Sequence, residues 1–226
     1  MPVNEEKYKE IIQALAPENV QLVAVSKIQS VTDIKKMYDL GQRDFGENYV
    51  QELVEKQAIL PADIRWHFIG HLQSNKVKYI APFAHLIQGV DSFKLLIEIN
   101  KQARKINKTI KCLLQIHIAS EETKFGLDEN ELEEIMSTLE NNPKQLSNVF
   151  IDGLMGMASF TDDSERVRAE MKTLKLLFQK YQSLSTVNCQ LSTLSMGMSA
   201  DYKLAIEEGS NMVRIGSLLF GARVKK

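Results

Sequence analysis

The chain has 226 residues, with 28 Lys and Arg against 29 Asp and Glu, a net charge of −1, 44% hydrophobic residues and 25% charged ones. That balance offers no basic block for nucleic acid and no apolar run of membrane-spanning length, and it suits one large globular domain over residues 1–226. The polar start Met1–Glu6 carries no apolar signal segment, and Cys112 and Cys189, each inside an apolar stretch, read as buried reduced thiols, so the expected location is the cytoplasm.

A helical stripe of Tyr8, Ile11, Ile12 and Leu15 comes first. The turn signal Ala16–Asn19 then leads into a short β-branched run, Gln21–Ser26, which reads as the first strand. Further strand candidates follow at Arg43–Phe45, Ile64–Ile69, His85–Val90, Lys111–Ile118, Ile151–Met157, Gln190–Ser195 and Met212–Ile215. Helical stripes lie between them, at Leu132, Ile135, Met136 and Leu139, and at Val167, Met171, Leu174, Phe178 and Tyr181. Ser30 with Asp33, Asp128 with Glu131 and Asp162 with Glu165 have capping-box spacing, and Gly41 and Gly209 sit where helices should end. Eight strands alternating with helices predict a parallel sheet, and in this length a (β/α)8 TIM-type barrel; an open doubly wound sheet is the alternative. The active site of such a barrel lies at the C-terminal ends of its strands.

Lys27 stands at the first of these ends. Side chains alternate along a strand, so Val23, Val25 and Lys27 share one face. If that face lines the barrel, the chain aims an amine into an enclosed space, where desolvation lowers its pKa and suits it to a Schiff base. A solvated loop lysine is the plain alternative, and the same choice applies to Lys124. His67 and His71 are four apart but lie on a strand and its exit, with no His-Glu-x-x-His pattern, so no metal is expected. The seventh candidate strand exits through Met196–Asp201 and the eighth through Gly216–Ser217. Ser199, Gly216 and Ser217 together suggest a phosphate cup on these two loops. Taken singly, Ser199 could cap a helix beginning at Ala200, and Gly216 could simply end a strand. Arg214 shares the face of Gly216, and a buried arginine needs either a structural carboxylate or a ligand.

Seven segments run in one order along the chain: Val25–Lys27, Phe45–Glu52, Trp66–Lys76, Glu122–Gly126, Gly153–Met157, Leu194–Asp201 and Val213–Ser217. As an ordered set they resemble the pyridoxal phosphate homeostasis proteins, a family of carriers of pyridoxal 5′-phosphate (PLP). The resemblance implies a PLP-binding barrel like the N-terminal domain of alanine racemase. It implies that Lys27 holds PLP as a Schiff base, that Ser199, Gly216 and Ser217 bind the phosphate, that Arg214 faces the pyridine nitrogen and that Asn48 lies near the cofactor. Many members have threonine at the position of Ser217 and asparagine at that of His117.

Three functions fit these residues. The first is a non-catalytic PLP carrier for vitamin B6 homeostasis, monomeric, with PLP-dependent apo-enzymes as partners and neither nucleic acid nor membrane. The second is a PLP-dependent amino-acid racemase. The resemblance implies that alanine racemase takes its second base, a tyrosine, from a domain after the barrel, and none is expected after Gly221; Tyr49 and Tyr202 are the possible substitutes. The third is a Schiff-base aldolase acting on a sugar phosphate, which predicts no bound chromophore.

Overall fold

All eight strand segments read from the sequence form strands, and they close into a ring. The computed structural model describes residues 3–121 and 125–221. Its strands are β1 (Gln21–Val25), β2 (Asp44–Glu47), β3 (Arg65–Phe68), β4 (Leu86–Val90), β5 (Ile110–Ile116), β6 (Val149–Gly156), β7 (Ser185–Thr186), β8 (Cys189–Ser195) and β9 (Met212–Ile215). Neighbours from β1 to β6 pair in parallel; β6 pairs with β8, β8 with β9 and β9 with β1. The fold is therefore the predicted eight-stranded parallel barrel and not an open sheet. β7 is a two-residue antiparallel flap on β8 that the sequence reading lacks. β2 runs through Glu47, beyond the expected Phe45, because Gly46 and Glu47 pair with His67 and Phe68 of β3.

The helices are α1 (Glu5–Leu15), α2 (Val31–Asp39), α3 (Val50–Ile59), α4 (Val77–Ile80), α5 (Phe93–Lys105), α6 (Glu129–Asn141), α7 (Ser164–Tyr181), α8 (Tyr202–Glu207) and α9 (Ser217–Phe220). Their ends follow local chemistry. Ser30 caps α2 by accepting from the Asp33 N–H, and Asp128 and Glu131 form a reciprocal capping box on α6. The cap of α7 is Asp163, not Asp162, since its carboxylate accepts from the N–H groups of both Glu165 and Arg166. Gly41 and Gly209 follow α2 and α8 with φ of +105° and +93°, the left-handed geometry in which a glycine ends a helix without strain.

The main core lies between the strands and the helices. The outward side chains Leu22, Ala24 and Phe45 join Ile34 and Met37 of α2 there. A second, smaller cluster takes one residue from each of five strands: Val23, Leu86, Leu113, Met155 and Met212. Val23 is level with Arg214, so these two inner-face side chains share the barrel interior. Gly153 makes the closing seam possible: a Cβ there would sit 1.8 Å from the Thr193 carbonyl oxygen on β8.

A charged cluster closes the N-terminal end of the barrel. Asp44 Oδ1 accepts from Arg65 Nε (2.7 Å), Asp44 Oδ2 from Arg65 Nη2 (2.5 Å), and His67 Nε2 lies 3.0 Å from Oδ1. Burial alone would raise the Asp44 carboxyl, but the hydrogen bonds from Arg65 and His67, with the charge of Arg65, outweigh it and hold the carboxyl well below the usual carboxylate range. The native state therefore binds the Asp44 proton more weakly than the unfolded chain, whose Asp titrates near about 3.9. Its stabilisation is complete above that pH and is lost as pH falls below it. Asp44→Asn is expected to destabilise the protein by about 1–3 kcal/mol at pH 7, with the gap to wild type narrowing as the pH falls toward 3. Urea denaturation of both proteins at several pH values checks this, and a gap independent of pH would contradict it.

Candidate functional site

The C-terminal ends of β8, β9, β1 and β2, four consecutive strands of the ring, bring the sequence-predicted residues to one sector of the rim. Lys27 lies two residues beyond Val25 and is half-buried. β1 pairs with β2 through Val25 and Gly46, and the chain leaves the ladder there, with Lys27 in the turn that follows. β1 pairs with β9 through Ala24 and Ile215. Gly216 follows directly and packs so closely on β1 that a Cβ there would sit 3.3 Å from the Val25 Cβ.

Ser199 and Gly216 meet directly, the Gly216 N–H donating to Ser199 Oγ at 3.2 Å. The chain between β8 and Ser199 is itself pinned. Arg214 N–H donates to the Gly197 carbonyl (3.0 Å) and Met198 N–H to Asp201 Oδ1 (2.6 Å). Ser199 is not a helix cap, because α8 begins at Tyr202 with Asp201 as its N-cap residue. Ser217 is the exposed first residue of α9, directly after Gly216.

Arg214 is 3% exposed. Its Nη1 donates to Ser195 Oγ (2.6 Å) and its Nη2 to the Gly156 carbonyl (2.9 Å). Both partners are neutral, so the structural carboxylate considered from the sequence is not what holds it. Burial lowers its pKa to about 10, with Asp201 opposing, and the guanidinium stays charged at pH 7.

Behind Arg214 a file of side chains crosses the barrel interior. Ser195 Oγ donates to Gln88 Oε1 (2.8 Å), Gln88 Nε2 lies 3.0 Å from His67 Nδ1, and His67 Nε2 reaches Asp44. With Gln88 Nε2 donating to His67 Nδ1 and His67 Nε2 donating to Asp44, every link has one donor and one acceptor. The file runs from the floor of the barrel to Arg214. Its middle was missed from sequence, although Gln88 is the lone polar side chain in the run Leu86–Val90, and one in a buried strand must find partners. His85 brings a third potential ligand near Asp44 and His67, all within 4.8 Å. Both Asp44 oxygens and both His67 nitrogens are already taken by the partners named above.

Two further features lie at the rim. Asn48 Oδ1 is buried and, among the described residues, has no hydrogen-bond partner. His71 lies 2.6 Å from Asp91 and stacks on Phe125, with ring centroids 4.0 Å apart. Lys124 lies outside the described residues.

The comparisons with known proteins agree with this fold. A family model for the N-terminal domain of alanine racemase matches residues 5–224. The pyridoxal phosphate homeostasis protein of Pasteurella multocida is 40% identical over 217 residues, covering 93% of this chain and 90% of that protein. That of Aquifex aeolicus is 40% identical over 205 residues, covering 90% and 87%. PipY of Synechococcus elongatus, solved with PLP bound, superposes with a TM-score of 0.84 at 34% identity, covering 96% of this chain and 99% of that one. Alanine racemase of Bartonella henselae, 18% identical with a TM-score of 0.72, shares the fold; the match covers 98% of this chain and 60% of that one. The chain belongs to the pyridoxal phosphate homeostasis protein family.

Proposed function

We propose that this protein binds PLP at the barrel mouth as a Schiff base on Lys27 and carries or buffers it for vitamin B6 homeostasis. The observation that carries this reading is the gathering of an amine, a hydroxyl-bound backbone N–H and a buried guanidinium on three neighbouring strands, β8, β9 and β1. The likeness to PipY, solved with PLP bound, supports it. The residues also fit the cofactor chemically. The Gly216 N–H and the hydroxyls of Ser199 and Ser217 are donors for a phosphate, and the orphaned Asn48 Oδ1 awaits a donor. Bound PLP supplies an aldehyde for the Lys27 amine and a ring able to accept electrons.

Arg214 decides how strong that electron acceptance is. It cannot give up its proton at neutral pH, so were it to face the pyridine nitrogen of bound PLP it would offer only a donor and would favour an unprotonated ring. This would weaken the ring as an electron sink and suit storage. Racemases tolerate the same pairing, so the second base matters more. Tyr202, one of the two possible substitutes, is packed in the main core, and Tyr49 is an exposed rim residue. A racemase is the alternative reading, and the carrier is the one we adopt. It acts in the cytoplasm as a monomer, with PLP-dependent apo-enzymes as recipients.

Removing both candidate phosphate hydroxyls, in Ser199→Ala with Ser217→Ala, is expected to weaken PLP by about 3 kcal/mol or more while hardly changing pyridoxal, which lacks the phosphate. Titrations of both ligands followed by absorbance check this, and equal losses would contradict it. Incubation of PLP-loaded protein with L-alanine, followed by chiral chromatography, is expected to show no turnover. Racemisation at about 1 per second or faster, lost in Lys27→Ala, would favour the racemase.

A further inference from the structure

The turn that carries Lys27 is strained, and helix α3 holds it from both sides. Ile28 has φ of +67°, in the left-handed region that a β-branched residue rarely enters. The other described non-glycine residues with positive φ are Asn19 and Asn107, a residue type that tolerates it. Burial does not drive the strain, since Ile28 is 65% exposed. Hydrogen bonds do. The Ile28 N–H donates to Glu52 Oε1 at 2.5 Å. One helical turn on, Lys56 Nζ donates to the Ser26 carbonyl (2.7 Å), to Glu47 Oε1 (2.8 Å) and to the same Glu52 oxygen (2.5 Å), which uses all three of its protons. Ser26 Oγ donates to Glu47 Oε1 at 2.6 Å. Glu47 and Lys56 are buried, whereas the Glu52 side chain is 23% exposed.

We propose that Glu52 is a positioning residue for cofactor binding: by fixing the Ile28 N–H it holds the turn in its left-handed form and so aims Lys27 into the barrel mouth. Ser26, anchored to Glu47 and Lys56, supplies the other fixed point, so the backbone on both sides of Lys27 is held. Strain kept in place by surrounding bonds next to a binding group is how a site is preorganised. The inference rests on Lys27 being the lysine that holds PLP.

Three variants test it. Glu52→Met keeps the side-chain volume but cannot accept the Ile28 N–H strongly. Glu52→Ala is a second removal, against the chance that one of them folds poorly. Glu52→Gln keeps the accepting oxygen and loses only the charge. Two quantities are read: hydrogen exchange of the Ile28 amide without PLP, and PLP affinity from the visible absorbance band. Removal of the acceptor is expected to speed exchange and weaken affinity by about tenfold each, while Glu52→Gln stays within about threefold of wild type. Unchanged affinity in Glu52→Met and Glu52→Ala, with the band still abolished by Lys27→Ala, would overturn the role of Glu52 and leave the Lys27 reading intact. Equal losses in Gln, Met and Ala would also overturn it, because they would mark a general charge effect. A band that survives Lys27→Ala would refute the Lys27 reading itself, and the role of Glu52 with it.

Discussion

Closure of the barrel by the β6–β8 pairing is the constraint on which the site depends. A parallel ring places every strand's C-terminal end on one rim. Residues far apart in sequence, such as Val23 and Arg214, become neighbours because β9 pairs with β1. The seam has a specific requirement. At Gly153 the two backbones approach so closely that any side chain would collide with the Thr193 carbonyl. An open sheet of the same strands would separate β6 from β8 and lose the enclosed interior in which Arg214 is desolvated.

That interior is not a uniform apolar plug. Five apolar side chains fill one part, and the file from Asp44 through His67, Gln88 and Ser195 to Arg214 fills another. A buried guanidinium is costly unless its donors are engaged. Here two engaged partners are neutral, so its charge is not cancelled by an adjacent carboxylate. The file fixes the orientation of the guanidinium by a chain of defined donors and acceptors that ends on the Asp44–Arg65 pair. The outer side of the same rim is organised differently. There Glu47, Glu52 and Lys56 fix the backbone on both sides of Lys27.

Much of this was legible in the sequence. The strands were readable because short apolar, β-branched runs bounded by polar turns leave little other structure open. The strand-end rule for barrels then directed attention to Lys27, Ser199, Arg214 and Gly216, which the fold brings to one sector. What escaped was long-range pairing. Gln88 and Ser195 are unremarkable until β4 and β8 face each other across the interior. The bonds of Glu52 and Lys56 to Ile28 and Ser26 exist only once α3 is laid against the β1 exit. The left-handed turn at Ile28 has no sequence signal, since isoleucine is among the residues least suited to it. The cap of α7 was misplaced by one residue because Asp162 and Asp163 carry the same chemistry.

The central claim is that Lys27, among the lysines of this chain, is the one that takes PLP. Its most direct test is to load the protein with PLP, reduce it with borohydride and map the modified peptides by mass spectrometry. The account predicts one pyridoxyl group per chain, on Lys27. A pyridoxyl group fixed mainly to another lysine, Lys124 included, or none at all under conditions where PLP binds, would contradict it.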